Sequence, residues 1–436
     1  MRWPAYILWA GMLPAAFAAA PTGAPRPRIW ADLADGARSL PGEFAADTLL
    51  RIAAAPGLDD VAFRRQIIED AFHLASAAQE PFARRRWPGA PVRVFDKAYL
   101  QGLDACTLQC RAVDAMLPID YRKARQLFAD MPAPRIMPAD CDDAMAPDPS
   151  IFYATLNEVA SRAYSAKEIA AEEPFHLMER YASAGGSIVQ AEAVAQMLAG
   201  APLNPAQLET LVDTFAATLS QLSPDPRSSA VAGEAGTAIS ALAAVCRNRN
   251  IDVQPLLAAW RAYSARKYEG EACKDAAGLC TSPECTQFTS RFKDLTLGKN
   301  GLSLTAAQRS TPEWGGQLRE YLSALLDWRS DDHPAECFHT KSQYYGELFD
   351  LAPNPPDRDL LLRSWLAWLE RDGYRRDRRV EWFYPVNTLL IRAFADPHGM
   401  HAVIDALLNS PDPVIAFYAR LERLLPRPID RTFSLL

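Results

Sequence analysis

The residues of this chain best suited to chemistry are its eight cysteines and six histidines. Thiols can bind metals, attack substrates or join as disulfides, and the redox compartment decides among these roles. No two of the cysteines have the C-x2-C spacing that is typical of a zinc ribbon. The sequence places them at Cys106, Cys110, Cys141, Cys246, Cys273, Cys280, Cys285 and Cys337.

The first eighteen residues have the pattern of a cleaved export signal. Arg2 supplies one cation, an apolar run extends from Trp3 to Phe17, and Ala16-Phe17-Ala18 is a small-x-small cleavage site. The apolar run is shorter than the roughly twenty residues of a spanning helix. We therefore expect residues 1–18 to be removed and the protein to be exported, to the periplasm or the extracellular space, with no stable membrane anchor. Export makes all eight cysteines disulfide candidates.

Helix geometry limits the pairing of the first two cysteines. Cys106 and Cys110 are four residues apart on a predicted helix, which sets their Cβ atoms roughly 5–6 Å apart. A disulfide requires about 3.5–4.5 Å. We expect them not to bond to each other, and Cys141 is the nearest other partner in sequence.

The same reasoning applies to Cys246. A predicted helix over about residues 252–268 would carry the chain away from it, because each helical residue adds about 1.5 Å. This disfavours a bond between Cys246 and Cys273. Cys280 or Cys285, on a returning segment, would be an easier partner.

The best metal alternative is the group His333, Cys337 and His339. Two imidazoles and a thiolate are zinc ligands, but no fourth ligand is evident near them in sequence. Export also favours oxidation of Cys337. We interpret the group as structural, and we predict neither a bound metal nor a cofactor.

Other catalytic signatures are missing from the sequence. It contains no G-x-S-x-G elbow, Walker loop, G-x-G-x-x-G turn or H-E-x-x-H helix. We interpret His73, His176 and the pair His398 and His401 as surface or helix-start residues. The aspartates around Cys141 lack the spacing of a calcium loop. Catalytic residues are therefore unknown, and the balance favours a non-enzymatic protein.

Composition excludes some partners and permits others. Hydrophobic residues make up 49% and charged residues 23% of the chain, values typical of a globular protein that buries a sizeable core. A net charge of −7 argues against a general nucleic-acid surface. A protein or peptide is the partner class that this composition allows best, and the oligomeric state stays open.

The elements that must position these residues are helices. Apolar residues recur at helical spacing from about residue 41 onward, and no sustained alternating run predicts a strand. Asn204 and Asp412, each followed by proline, predict helix starts, and Asp252 and Asp357 are further cap candidates. The chain is predicted to be all-α, with roughly fourteen helices joined by short connections.

Short connections predict stacked antiparallel helix hairpins. We find no fixed repeat of about 34 or 40–47 residues, but loose proline-rich repetition resembles HEAT-like arrays. An irregular α-solenoid is the favoured architecture, and a closed (α/α) toroid is the alternative.

Composition shifts divide the chain into segments. We predict a disordered segment over residues 19–40, an N-terminal helical domain over 41–268 and a cysteine-containing connector over 269–312. A C-terminal helical domain over 313–436 follows the connector.

Two functions follow from this organisation. The first is a disulfide-braced helical-repeat scaffold that binds a protein or peptide. The second is a secreted glycoside hydrolase or polysaccharide lyase on the toroid, which needs two carboxylates roughly 5–10 Å apart. The sequence singles out no such pair. The helical spacing of Trp365 and Trp368 also favours a core role for the aromatic C-terminal segment over a sugar-binding groove.

Overall fold

A computed structural model describes residues 26–79, 82–87, 98–138, 140–141, 145–183, 185–269, 273, 312–328, 334–352, 354–372, 379–395 and 400–426. Within these ranges the chain forms eighteen helices and one short two-stranded pairing, which confirms the all-α prediction. The strands are β1 (Arg84–Arg85) and β2 (Ala146–Pro147). The helices are α1 (Arg26–Arg38), α2 (Gly42–Ala53), α3 (Val61–Ala75), α4 (Ala105–Met116), α5 (Tyr121–Asp130), α6 (Ser150–Arg162), α7 (Ala166–Ala170), α8 (Glu173–Glu179), α9 (Ile188–Gly200), α10 (Pro205–Gln221), α11 (Ser228–Asn248), α12 (Gln254–Glu269), α13 (Pro312–Asp327), α14 (Pro334–Leu351), α15 (Pro355–Asp372), α16 (Arg379–Ala395), α17 (His401–Leu408) and α18 (Pro413–Leu424).

The prediction of disorder over residues 19–40 is wrong where the structure describes them, because α1 is an ordered helix. Ala34 is fully buried, and Gly36 lies against the ring of Phe417. A Cβ added at Gly36 would be 3.0 Å from that ring, so the small residue permits the close approach. The composition rich in Ala, Gly and Pro suggested disorder, whereas small side chains here allow helices to pack closely.

Two of the predicted helix starts are confirmed in detail. The side chain of Asn204 accepts a hydrogen bond from the backbone of Gln207 at 3.0 Å, and the Gln207 side chain accepts one from the Asn204 backbone at 3.2 Å. This reciprocal pair is a capping box. Asp412 accepts from the backbone N–H groups of Val414 and Ile415 at the start of α18.

The other two cap candidates differ. Asp252 accepts from the Gln254 backbone at 2.9 Å, as a residue preceding a helix should. Asp357 is not a cap, because α15 begins earlier, at Pro355. Asn354 takes that role and accepts from the Asp357 backbone at 3.0 Å, so the start repeats the Asn-Pro pattern seen at Asn204.

Helices that are close in sequence pack against each other. Most helices contact the next one along the chain, and several also contact the next but one. The second kind of contact joins α2 to α4, α4 to α6, α6 to α8, α9 to α11, α10 to α12, α13 to α15, α15 to α17 and α16 to α18. In the described part of the chain, no helix is both long and apolar enough to cross a lipid bilayer.

The beginning and the end of the described chain meet. Helix α2 packs against α18. The ring of Phe44 lies 4.9 Å from that of Phe383, and Phe383 lies 4.5 Å from Tyr418. All three rings are buried. The apolar core therefore runs continuously through both predicted helical domains, and the division between them at residues 269–312 stays a prediction.

A polar network lies within this contact, which we call the α2–α18 junction. The Tyr418 hydroxyl donates to Oδ2 of Asp47 at 2.9 Å, and Nη2 of Arg111 on α4 lies 2.9 Å from Oδ1. Arg51 pairs with Glu422 at 2.7 Å. Burial alone would raise the pKa of Asp47, but Arg111, Arg51 and Tyr418 outweigh it, so this pKa lies below its usual value.

Removing the hydroxyl at the junction should destabilise the whole protein. We expect Tyr418→Phe to lower the free energy of unfolding by about 1–3 kcal/mol, because buried Asp47 loses a hydrogen-bond donor. Urea denaturation followed by circular dichroism measures this loss. Tyr121→Phe, on a half-buried tyrosine of α5, is the matched control and should change stability by less than about 0.5 kcal/mol. Equal effects of the two variants would contradict the assignment.

Candidate functional site

A group of charged side chains, of which Glu192 is buried and Glu234 is exposed, lies where β1 meets α9 and α11. We call it the carboxylate–arginine cluster: Arg85, Glu192, Glu234 and Asp148. Strands β1 and β2 pair antiparallel, with Arg85 opposite Ala146. This pairing holds Arg85 against the two helices, and its guanidinium contacts Glu192 at 2.5 and 3.3 Å and Glu234 at 3.0 Å.

The electrostatics of the cluster follow from burial. Glu192 is only 4% exposed, and burial raises its pKa. Arg85 acts in the opposite direction, whereas the negative charges of Glu234 and Asp148 add to the increase. The net effect is a Glu192 pKa above its ordinary value. A buried carboxyl of this kind can act as a general acid if substrate reaches it.

The position of Arg85 argues against that chemistry. Glu192 Oε1 and Glu234 Oε2 both contact the same nitrogen, Nη1 of Arg85. The guanidinium therefore occupies the space between the two carboxylates, where a sugar ring or an attacking water would have to sit. The arrangement fixes the paired strands to α9 and α11, and it offers no opening for a substrate between the two acids.

A second group of chemically capable side chains lies along α4. Cys106 and Cys110 are free thiols one helical turn apart, and Asp114 follows one turn later. The Thr155 hydroxyl, on α6, donates to Oδ2 of Asp114 at 3.2 Å. Sequence spacing alone identified the two thiols, but only the packing of α4 on α6 shows that Thr155 and Asp114 join them.

Two members of this group, Cys110 and Asp114, have raised pKa values. The donation of the Cys110 thiol proton to Cys106, together with burial, raises the pKa of Cys110 well above its usual range. Burial raises the pKa of Asp114 to about 6, and the neighbouring charge of Glu158 contributes in the same direction. Both shifts favour the neutral forms of these groups.

One disulfide is present in the described residues, and it joins Cys141 to Cys273. The prediction that Cys106 or Cys110 pairs with Cys141 is therefore wrong. Cys141 lies beside the start of α11, where Arg227 donates to the Cys141 carbonyl at 2.6 Å and Cys273 donates to the Pro226 carbonyl.

The other cysteines divide into two groups. Cys106, Cys110 and Cys246 are free thiols. Cys110 and Cys246 are buried, and Cys106 is partly exposed. The expected pairing of Cys246 with Cys280 or Cys285 involves two residues outside the described ranges. The sequence could not identify the observed bond, because 132 positions separate Cys141 from its partner and nothing local links them.

The histidine candidates do not come together in the described structure. His176 lies 3.4 Å from Glu179 on exposed α8, and His73 is exposed beside the ring of Phe72. Among the described residues, no three His, Cys, Asp or Glu side chains are grouped to hold a metal ion. The zinc alternative, and our prediction that no metal is bound there, concern His333 and the side chains of Cys337 and His339, which lie outside the described residues.

The aromatic C-terminal segment forms core, as its helical spacing predicted. Tyr345 stacks on Trp365 at 5.6 Å and on Trp368 at 5.4 Å between ring centroids. Trp382 is also buried, with 2% of its surface exposed. These rings are committed to helix–helix packing and do not line an open groove.

A shallow, open cavity lies close to the disulfide. Its volume is about 550 Å³, and it is formed by the end of α10, the following loop and the paired glycines before α9. Prolines and glycines dominate the two loops, and polar groups come from α10. Its lining includes Pro138, Gly185, Gly186, Thr218, Gln221 and Pro226.

Comparison with known proteins finds no matching family model, no matching curated protein and no matching solved structure. Function is therefore argued from the geometry of the cluster, the thiols and the cavity.

The ion pair of the carboxylate–arginine cluster should be essential for stability. Arg85→Met leaves buried Glu192 without its cation, and we expect the free energy of unfolding at pH 7 to fall by roughly 2–4 kcal/mol. The deficit should shrink in acid, because a carboxyl with a raised folded pKa takes up a proton that stabilises the folded state. Adding Glu192→Gln to Arg85→Met should recover stability at pH 7. Exposed Arg261→Met is the control, and a deficit as large there would refute the role of the ion pair.

Asp114 should make stability depend on pH. The pKa of Asp114 in the folded protein is about 6, above its ordinary value of 3.8. Because the folded state binds this proton more tightly, protonation stabilises the fold fully below pH 3.8. This stabilisation is lost as pH rises through about 6. Asp114→Asn should therefore gain stability relative to the wild type between about pH 4 and pH 7. We expect less than about 1 kcal/mol, because solvent reaches this carboxylate. Urea denaturation across this range, with exposed Asp213→Asn as control, measures it; a pH-independent difference would contradict the assignment.

Proposed function

We propose that this protein is an exported helical scaffold, braced by disulfide bonding, whose surface binds a protein or peptide. The observation that carries the proposal is the use of its buried carboxylates. Asp47 pairs with Arg111, Glu192 with Arg85 and Glu422 with Arg51. Each of these pairs joins different elements, so the charges serve to hold the helices together.

Three further buried acids of the described residues follow the same rule. Asp104 and Asp412 cap the helices that follow them, and Glu381 accepts a hydrogen bond from the Tyr99 hydroxyl at 3.2 Å. A glycosidase needs two carboxyls that face a cleft and remain available to substrate. Buried acids that are occupied by arginines, helix starts and a tyrosine support a scaffold over such an enzyme.

Export is part of the proposal, and two observations support it. The first eighteen residues have the pattern of a cleaved signal. The Cys141–Cys273 disulfide suits an oxidising compartment. Together they favour a periplasmic or extracellular location for the mature chain.

The architecture within the all-α class is also a proposal. An open solenoid keeps its first and last helices apart, whereas α2 and α18 are in contact here. We therefore favour stacked helix hairpins that curve until the beginning and end of the chain meet. This curved arrangement is also the architecture of the alternative function, a toroidal polysaccharide hydrolase or lyase. The proximity of Glu192 and Glu234 favours that alternative, and Arg85 between them opposes it.

We place the ligand at the cavity beside the disulfide. Loops rich in proline and glycine line it, and Met137, the sequence neighbour of the lining residue Pro138, is 76% exposed. An exposed methionine adapts its shape to varied apolar side chains. Gln221 and Thr218 add polar groups that could bond to the backbone of an extended peptide. The combination suits a short peptide segment with one apolar side chain.

The experiment begins with the mature chain recovered after export, whose N-terminal sequence should start after residue 18. Peptides selected from a random library on this protein are then measured by isothermal titration calorimetry. Met137→Glu should weaken binding at least tenfold, because it places a charge where an apolar side chain docks. Ile169→Glu is the matched control on another surface, where the isoleucine is 53% exposed, and should bind as the wild type does.

Two results would overturn the proposal. The first is a failure of the peptide test, in which either no peptide is selected or both variants lose peptide binding equally. The other is release of reducing ends or unsaturated sugars from a panel of polysaccharides that disappears in Glu192→Gln, which would establish the enzymatic alternative.

A further inference from the structure

The two thiols of α4 have a geometry that suits one kind of ligand. Cys106 and Cys110 are one turn apart on a regular helix, and both are free thiols. Cβ atoms at this helical spacing are roughly 5–6 Å apart, too far for the sulfur–sulfur bond of a disulfide. The same spacing leaves room for one ion between two sulfur atoms.

We propose that Cys106 and Cys110 form a two-coordinate site for a soft monovalent cation, with copper(I) as the biological ion. Thiolate sulfur is the ligand type that selects copper(I) over harder cations. Two sulfur atoms are sufficient for this ion, so the site needs no third protein ligand. This inference rests on the spacing of the two cysteines along α4, and it does not depend on the proposed scaffold function.

The surroundings of the two thiols differ in a way that suits capture and retention. Cys106 lies in the first turn of α4 and is partly exposed, so an ion can reach it from solvent. Cys110 is fully buried in the apolar core, next to Ala112 and Val113, which are buried as well. An ion held between them would have one side open for entry and the other shielded from water. Each ion bound displaces the two thiol protons to solvent.

The other described cysteines provide a built-in comparison. Cys246 is a single buried thiol on α11, and Cys141 and Cys273 are joined to each other. In the described residues, Cys106 and Cys110 are thus the one pair of free thiols on adjacent turns of a helix. Cys280, Cys285 and Cys337 contribute equally to every variant, so the site is measured as a difference.

The test is an anaerobic titration of the whole exported chain with copper(I) against a chromophoric chelator. Wild type should bind one ion more per chain than Cys106→Ser or Cys110→Ser. Each variant should lose the near-ultraviolet thiolate-to-copper absorption of that ion. Cys246→Ser is the matched control and should bind as many ions as the wild type.

Folding is controlled separately, because Cys110 is buried. Cys106→Ala removes the partly exposed thiol, and its circular dichroism and thermal unfolding should match those of the wild type while its extra ion is lost. The proposal is overturned if Cys106→Ala, folded, retains the same number of ions with affinity within tenfold of wild type. Equal loss of an ion in Cys246→Ser would overturn it too.

Discussion

The hydrogen bond between Tyr418 and Asp47 is the interaction on which the arrangement of this protein depends. It joins residues 371 positions apart, and it lies inside the aromatic contact between Phe44, Phe383 and Tyr418. Arg111 neutralises the same carboxylate from α4, so three helices share one buried charge. Helices from the beginning and the end of the described chain are held together at this point. Apolar burial supplies adhesion there, and the directional bonds set the relative orientation of α2, α4 and α18.

The same logic of matched charge recurs away from the junction. Glu192 is buried on α9, a helix with nearly all of its residues covered, and it is tolerated there because Arg85 reaches it from β1. That strand is only two residues long, so the ion pair and the strand pairing together hold it against the helices. A buried acid costs folding energy unless a cation meets it, and this chain supplies its cations mainly as arginines from distant segments. The charged groups that resemble catalytic residues, such as Glu192 with Arg85 and Asp47 with Arg111, therefore join separate elements of the fold.

The sequence predicts what is local and misses what is distant. Helical periodicity, the caps at Asn204 and Asp412 and the core role of Trp365 and Trp368 follow from neighbouring residues, and the structure confirms them. Asn354 has the same Asn-Pro pattern and caps α15, whereas the predicted cap Asp357 lies inside that helix. The ion pair of Arg85 with Glu192 and the bond of Cys141 with Cys273 link positions 107 and 132 residues apart. No spacing rule reaches so far, because packing of intervening helices decides which side chains meet.

The meeting of α2 with α18 has a consequence for the order in which the molecule can assemble. Phe44 belongs to the second helix of the described chain, and the rings that cover it belong to two of the last three helices. Until those residues have been synthesised, Phe44 lacks two of its aromatic partners, although α1, α3 and α4 also pack on α2. Contacts this remote in sequence are slow to form. The contact of the second described helix with the last one forms only when the chain is nearly complete, so the topology places this step late in folding.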